Sequence, residues 1–128
     1  MPGRDTGDPA GSLLPTRPVE VLRLERVPRR TDRLQVHFAG CEPVELALEV
    51  VERHRLAAGD VLDPRTLRTL LDEHEAWRVR SAALSLLSYR ARGREELGRR
   101  LRRKGFAAAR VRRCLHELEA AGLLDDRA

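Results

Sequence analysis

The densest chemistry in this sequence is cationic. Arg99, Arg100, Arg102, Arg103 and Lys104 put five cations into six residues with no acid between them. Arg110, Arg112 and Arg113 follow after a turn, and Arg90, Arg92 and Arg94 extend the same character upstream. At helical spacing Arg99, Arg102 and Arg103 share one face, Arg100 and Lys104 the adjoining one, and Leu97 and Leu101 the inward stripe. A guanidinium presents two parallel donors that match a phosphate or a carboxylate. Neutralising phosphates releases counterions, so binding through such groups falls steeply with salt. The competing reading is a solvated helix face. Five cations without an interleaved acid favour a polyanion-facing surface over it, whereas for Arg90, Arg92 and Arg94 surface solubility is an equal reading. The patch is nearly without aromatics, which argues against base stacking as the main mode.

Other chemistries find little support. His37, Cys41, His54, His74, Cys114 and His116 form no paired Cys-x-x-Cys or His-x-x-x-His spacing, so no metal site is expected. Ser81, Ser85 and Ser88 lie on a helical stretch without a partnered histidine, and no nucleophile elbow exists. The glycines near cations read as helix stops rather than as a phosphate-cradling loop. The expectation is therefore no catalytic residue, no cofactor and no enzyme. Sequence-specific base reading wants Asn, Gln or Ser beside Arg on a recognition helix, and the chain contains no Asn at all.

The charge is divided. Residues 1–75 hold 11 Arg and 14 acids, net −3, whereas residues 76–128 hold 13 Arg, Lys104 and 6 acids, net +8. Such asymmetry points to a polyanionic or acidic partner for the basic half. Two distant cysteines, no apolar signal segment and no run of the length that spans a bilayer lead us to expect a soluble cytoplasmic protein with free thiols and no membrane partner.

The elements that must carry these residues follow from periodicity. Residues 1–18, rich in Gly and Pro, read as a disordered tail. Residues 19–62 read as a β-hairpin plus a short helix: strands over Val21–Val27 and Arg33–Ala39, with Pro28–Asp32 as the turn. A short third strand through Val44 follows, and then a helix from about Leu46, stopped by Ala57–Asp60 with Gly59 at its end. Residues 63–128 read as a helical repeat. Asp63-Pro64 starts a helix to about Arg90, single or bent, with Leu67, Leu70, Leu71, His74, Trp77, Ser81, Leu84 and Leu87 inward. Trp77 is expected in the core; Tyr89 is equally suited to core or interface. A short helix over Arg94–Lys104, polar nearly all round, ends at Gly105. A last helix over about Ala108–Ala121 buries Val111, Cys114, Leu115 and Leu118 and is closed by Gly122. Leu123-Leu124-Asp125-Asp126 reads as the lead-in to another helix. The fold class is mainly α: a small N-terminal hairpin or short sheet, then a three-helix, helix-turn-helix-like unit.

These residues resemble the RecX family in order and spacing. Ala83 through Leu87 to Arg90 and Arg92 is similar to its A-x-x-x-L-x-x-R-x-R segment. Glu96-Leu97, Leu101 and Lys104-Gly105-Phe106 resemble E-L-x-x-x-L-x-x-K-G-F. Val111, Leu115, Leu118 and Gly122-Leu123-Leu124-Asp125-Asp126 resemble I-x-x-x-L-x-x-L-x-x-x-G-L-L-D-D. The likeness covers roughly residues 20–128. Gly93 and Ala107 stand where polar caps are usual. Family members continue past the Asp-Asp into further repeats, so the chain reads as a member truncated after its first repeat. The resemblance implies a non-enzymatic regulatory protein that lodges in the RecA–DNA filament and damps RecA ATPase and strand exchange in recombination, DNA repair and the SOS response. It would act as a monomer, with the eleven cations named above facing filament or DNA. The alternative is a DNA-binding module that acts mainly through phosphate contacts.

Overall fold

The computed structural model of the chain describes residues 15–125, which form two compact units, one ending at His74 and the other beginning at Glu75. The expected tail falls largely on residues 1–14, outside the described residues; of the expected lead-in Leu123-Leu124-Asp125-Asp126, the first three are described and are not helical, and Asp126 lies outside.

The first unit is built on an antiparallel sheet of order β3-β2-β1-β4, from β1 (Val19–Val27), β2 (Arg30–Phe38), β3 (Val44–Ala47) and β4 (Val61–Leu62). The sheet is thus larger by one strand than the hairpin and short third strand the sequence suggests, because the two-residue β4 pairs with the start of β1, Val19 opposite Leu62. Pairing of Leu24 with Val36 and Arg26 with Leu34 puts the apolar positions of β2 on one face. Val21, Val36 and Leu46 are fully buried there. The hairpin turn is tighter than Pro28–Asp32: Val27 pairs with Arg30, so only Pro28 and Arg29 span it. Arg29 sits at φ 65° behind the fixed φ of Pro28, the pattern of a type II turn.

Helix α1 (Leu48–Arg53) packs on β2 and β3 through Val50 and Val51. It stops earlier than Gly59. Arg55 takes the left-handed conformation at φ 52°, its N–H donates to the Glu52 carbonyl, and the Leu56 N–H donates to Val51, which together close a Schellman cap. Gly59 belongs instead to the next turn, where its N–H donates to the Val21 carbonyl at 2.7 Å. A β-carbon at φ 52° is strained, so Arg55→Gly is expected to stabilise the protein by about 0.5–1 kcal/mol, read from the urea midpoint. An unchanged or lower midpoint would mean that the arginine side chain earns its place by other contacts.

Helix α2 (Pro64–Tyr89) is a single helix. Asp63 caps it: its carboxylate accepts the Thr66 N–H at 2.7 Å, and that bond holds its pKa below the ordinary carboxylate value. The inward stripe is not one line of residues. Leu67, Leu70, His74 and Trp77 are buried in the first part, and Val79, Ala83 and Leu86 in the second. Leu84, expected inside, is exposed, and so is Tyr89. The stripe steps around the helix between Trp77 and Val79 because the helix contributes to two cores. Buried His74 accepts the Ala47 N–H on Nδ1 at 3.0 Å.

The second unit adds α3 (Arg94–Arg103) and α4 (Ala108–Ala120), each closed by a Schellman cap with Gly105 or Gly122 at positive φ. Val79, Ala83, Leu86, Leu97, Leu101, Val111, Cys114, Leu115 and Leu118 form one core. Burial of the Cys114 thiol, together with nearby Glu117 and against nearby Arg80, pushes its pKa up, whereas Cys41 is exposed. A thiol reagent is therefore expected to label one equivalent, Cys41, in the native protein and Cys114 only on unfolding. Equal labelling rates would contradict the placement of Cys114.

Candidate polyanion-binding surface

The short α3 is held by its neighbours. Leu97, Gly98 and Leu101 form a narrow buried strip, and the other positions are charged and at least partly exposed. The strip holds the two leucines expected to face inward, and Gly98 between them permits close packing. A β-carbon there would stand 3.1 Å from Leu115 Cδ1 of α4 and 3.1 Å from Arg102 Nη1. Leu97 and Leu101 are fully buried, each contributing roughly 1.5–3 kcal/mol. Neither α3 nor α4 has a side-chain N-cap, since Gly93 and Ala107 occupy those positions. Glu95 and Glu96 in the first turn of α3 complement the helix dipole instead, as do Arg100, Arg102 and Arg103 in its last turn.

The cations divide into two groups. Arg99, Arg100, Arg102, Arg103 and Lys104 on α3 and its cap are all exposed, and so are Arg112 and Arg113 on α4. None of these seven makes an ion pair or hydrogen bond through its side chain with a described residue. All seven are exposed, so their donors face solvent. Arg110 is half-buried beside Arg113, Cys114 and Glu117 and has an interaction of its own.

The second group is internal. Arg92 is 5% exposed: its Nε donates to the Leu86 carbonyl at 3.2 Å and its Nη1 to Glu96 at 2.7 Å. Arg90 donates to the same Glu96 carboxylate, and Arg94 pairs with Glu119 at 2.9 Å. The sequence reading of Arg92 as a surface cation is corrected on this point. It sits where the chain leaves α2 and must satisfy the end of that helix, and its own carbonyl accepts the Asp125 N–H at 2.8 Å. Burial raises the pKa of Glu96, but the bonds from Arg90 and Arg92 outweigh it and hold the carboxyl below its ordinary value. The i,i+4 spacing of Arg92 and Glu96 was the signal for this pairing.

Arg78, on the exposed side of α2, lies over the Phe106 ring, 5.2 Å from its centroid, and pairs with Glu75. Among the described residues no group of three His, Cys, Asp or Glu is placed to hold a metal ion. No helix among the described residues is long and apolar enough to cross a membrane.

The profile of the family described as RecX, first three-helix domain, matches residues 80–118. That segment runs from the second part of α2 to near the end of α4 and contains every cation of the exposed row. The fold is similar to that in the crystal structure of regulatory protein RecX, with a TM-score of 0.68 at 22% identity. The likeness covers 84% of this chain and 53% of that one, so the chain spans about half the length of the protein it matches.

Proposed function

We propose that the chain is a RecX-type regulatory protein that binds the RecA–DNA filament and damps RecA activity, without chemistry of its own, a reading supported by the match of residues 80–118 to the first three-helix domain of RecX. The observation that carries the reading is the row Arg99, Arg100, Arg102, Arg103 and Lys104, exposed and without an ion-pair partner among the described residues. A nucleoprotein filament offers phosphates and protein carboxylates together, and guanidinium groups serve both. Arg112 and Arg113 add exposed cations on α4, and Arg90, Arg94 and Arg110 belong to the same unit. Arg92 supports it from inside. The protein works as a monomer in the cytoplasm and needs no cofactor.

Co-sedimentation tests this. At a salt concentration where the chain leaves naked single-stranded DNA unbound, it is expected to pellet with pre-formed RecA filaments. Binding to naked DNA equal to binding to filaments would replace this reading with that of a DNA-binding module acting through phosphates.

A further inference from the structure

The net-acidic first unit carries a local exception to its charge. Between positions 26 and 33 stand Arg26, Arg29, Arg30 and Arg33 with one acid, Asp32. All four arginines line an open concavity of about 430 Å³ at the tip of the β1–β2 hairpin. The hairpin runs on past the buried part of the sheet. Arg26 pairs with Leu34 on the apolar face, one step beyond the Leu24–Val36 pair. Val27 and Leu34, with Leu48 at the start of α1, are therefore left half-buried and form an apolar floor.

The rim is incompletely neutralised. Arg33 pairs with Asp32 at 3.2 Å and Glu45 at 3.4 Å, and Arg30 reaches Asp32 only at 3.9 Å. Arg26 and Arg29 make no ion pair with a described residue. Nothing aromatic lines the concavity, so it offers no platform for stacking a base. An apolar floor would be wasted on a bare phosphate. It suits an apolar side chain flanked by carboxylates, which arginine forks bind in bidentate fashion.

We propose that the concavity at the hairpin tip, floored by Val27, Leu34 and Leu48 and rimmed by Arg26, Arg29 and Arg30, docks an acidic peptide segment that carries an apolar side chain. The site lies in the first unit and the row on α3 in the second, and the proposal does not depend on the RecA reading. Its positive rim supplies the attraction and its floor the selectivity between acidic segments.

The test is fluorescence anisotropy with a labelled decapeptide of Glu, Asp and a central Leu. Comparison probes are the same peptide with Leu replaced by Ser, and a ten-residue oligothymidylate. The parent is expected to bind the Leu peptide at least tenfold more tightly than the Ser peptide. Arg26→Glu with Arg29→Glu, both on exposed positions, is expected to weaken the Leu peptide at least tenfold while leaving oligothymidylate binding unchanged. Arg99→Glu with Arg103→Glu serves as the second variant and is expected to do the opposite. Unchanged peptide binding in the hairpin variant, equal binding of the Leu and Ser peptides, or loss of oligothymidylate binding in the hairpin variant would each overturn the proposal. The last of these would make the concavity a nucleic-acid contact.

Discussion

Changing Arg99, Arg102 and Arg103 together to glutamate is expected to abolish binding to RecA filaments while leaving the helical circular dichroism signal intact. The three side chains are exposed and make no ion pair or hydrogen bond with a described residue, so their loss breaks no such bond. Exposed substitutions of this kind usually change stability by no more than about 0.5 kcal/mol each. The leucines that seat α3, Leu97 and Leu101, point the other way and are untouched. Charge reversal lowers the basic half from +8 to +2 and replaces attraction with repulsion. A hydrogen bond to a charged group contributes about 1.5–3 kcal/mol, so losing even two such contacts weakens binding roughly a hundredfold or more. Co-sedimentation of parent and triple variant at matched salt checks this. A triple variant that pellets as well as the parent would show that the α3 row is only a solvated face.

Arg92→Ala is expected to be among the most destabilising single changes at a charged position, by about 2–3 kcal/mol. The guanidinium is buried, and removing it orphans the Leu86 carbonyl and leaves a void beside the core. The loss should appear as a lower thermal midpoint. Arg90→Ala, at a side chain more than half exposed, is expected to cost little. The acid response gives a second handle. Glu96 is held below its ordinary pKa in the folded protein, so its contribution is present above the ordinary glutamate range and is lost as pH falls through that range and below it. Stability of the parent should therefore decline on acidification through that window, and the Arg92→Ala variant should show a shallower decline. A parent and variant of equal midpoint would return Arg92 to the surface.

Much of the fold is legible where one physical rule acts alone. Alternation in β2 and Asp63-Pro64 at the head of α2 gave their elements directly, as did the glycines after α3 and α4. What misled was competition. Gly59 has the right chemistry for a helix end, but a Schellman cap closed by Arg55 comes first because α1 has buried Val50 and Val51 by then. Leu84 fits the apolar stripe begun by Leu67, yet the stripe moves to Val79, Ala83 and Leu86 where α2 joins a second core. The two-residue β4 is too short to show any period. At the candidate surface, composition could mark Arg90 through Arg113 as basic but could not sort them. That sorting depends on which arginines have a carboxylate or carbonyl in reach. Arg92 has both, and Arg99 through Lys104 have neither among the described residues. The hairpin arginines do not stand out in the sequence because their half of the chain is acidic on average.

The central claim is that this chain acts on RecA through the filament. The most direct measurement is the DNA-dependent ATPase rate of pre-formed RecA filaments as the protein is titrated in, with DNA binding followed in parallel without RecA at the same salt. The rate is expected to fall at protein concentrations too low for detectable binding to DNA alone. A rate that stays constant up to concentrations that saturate the DNA would contradict the claim.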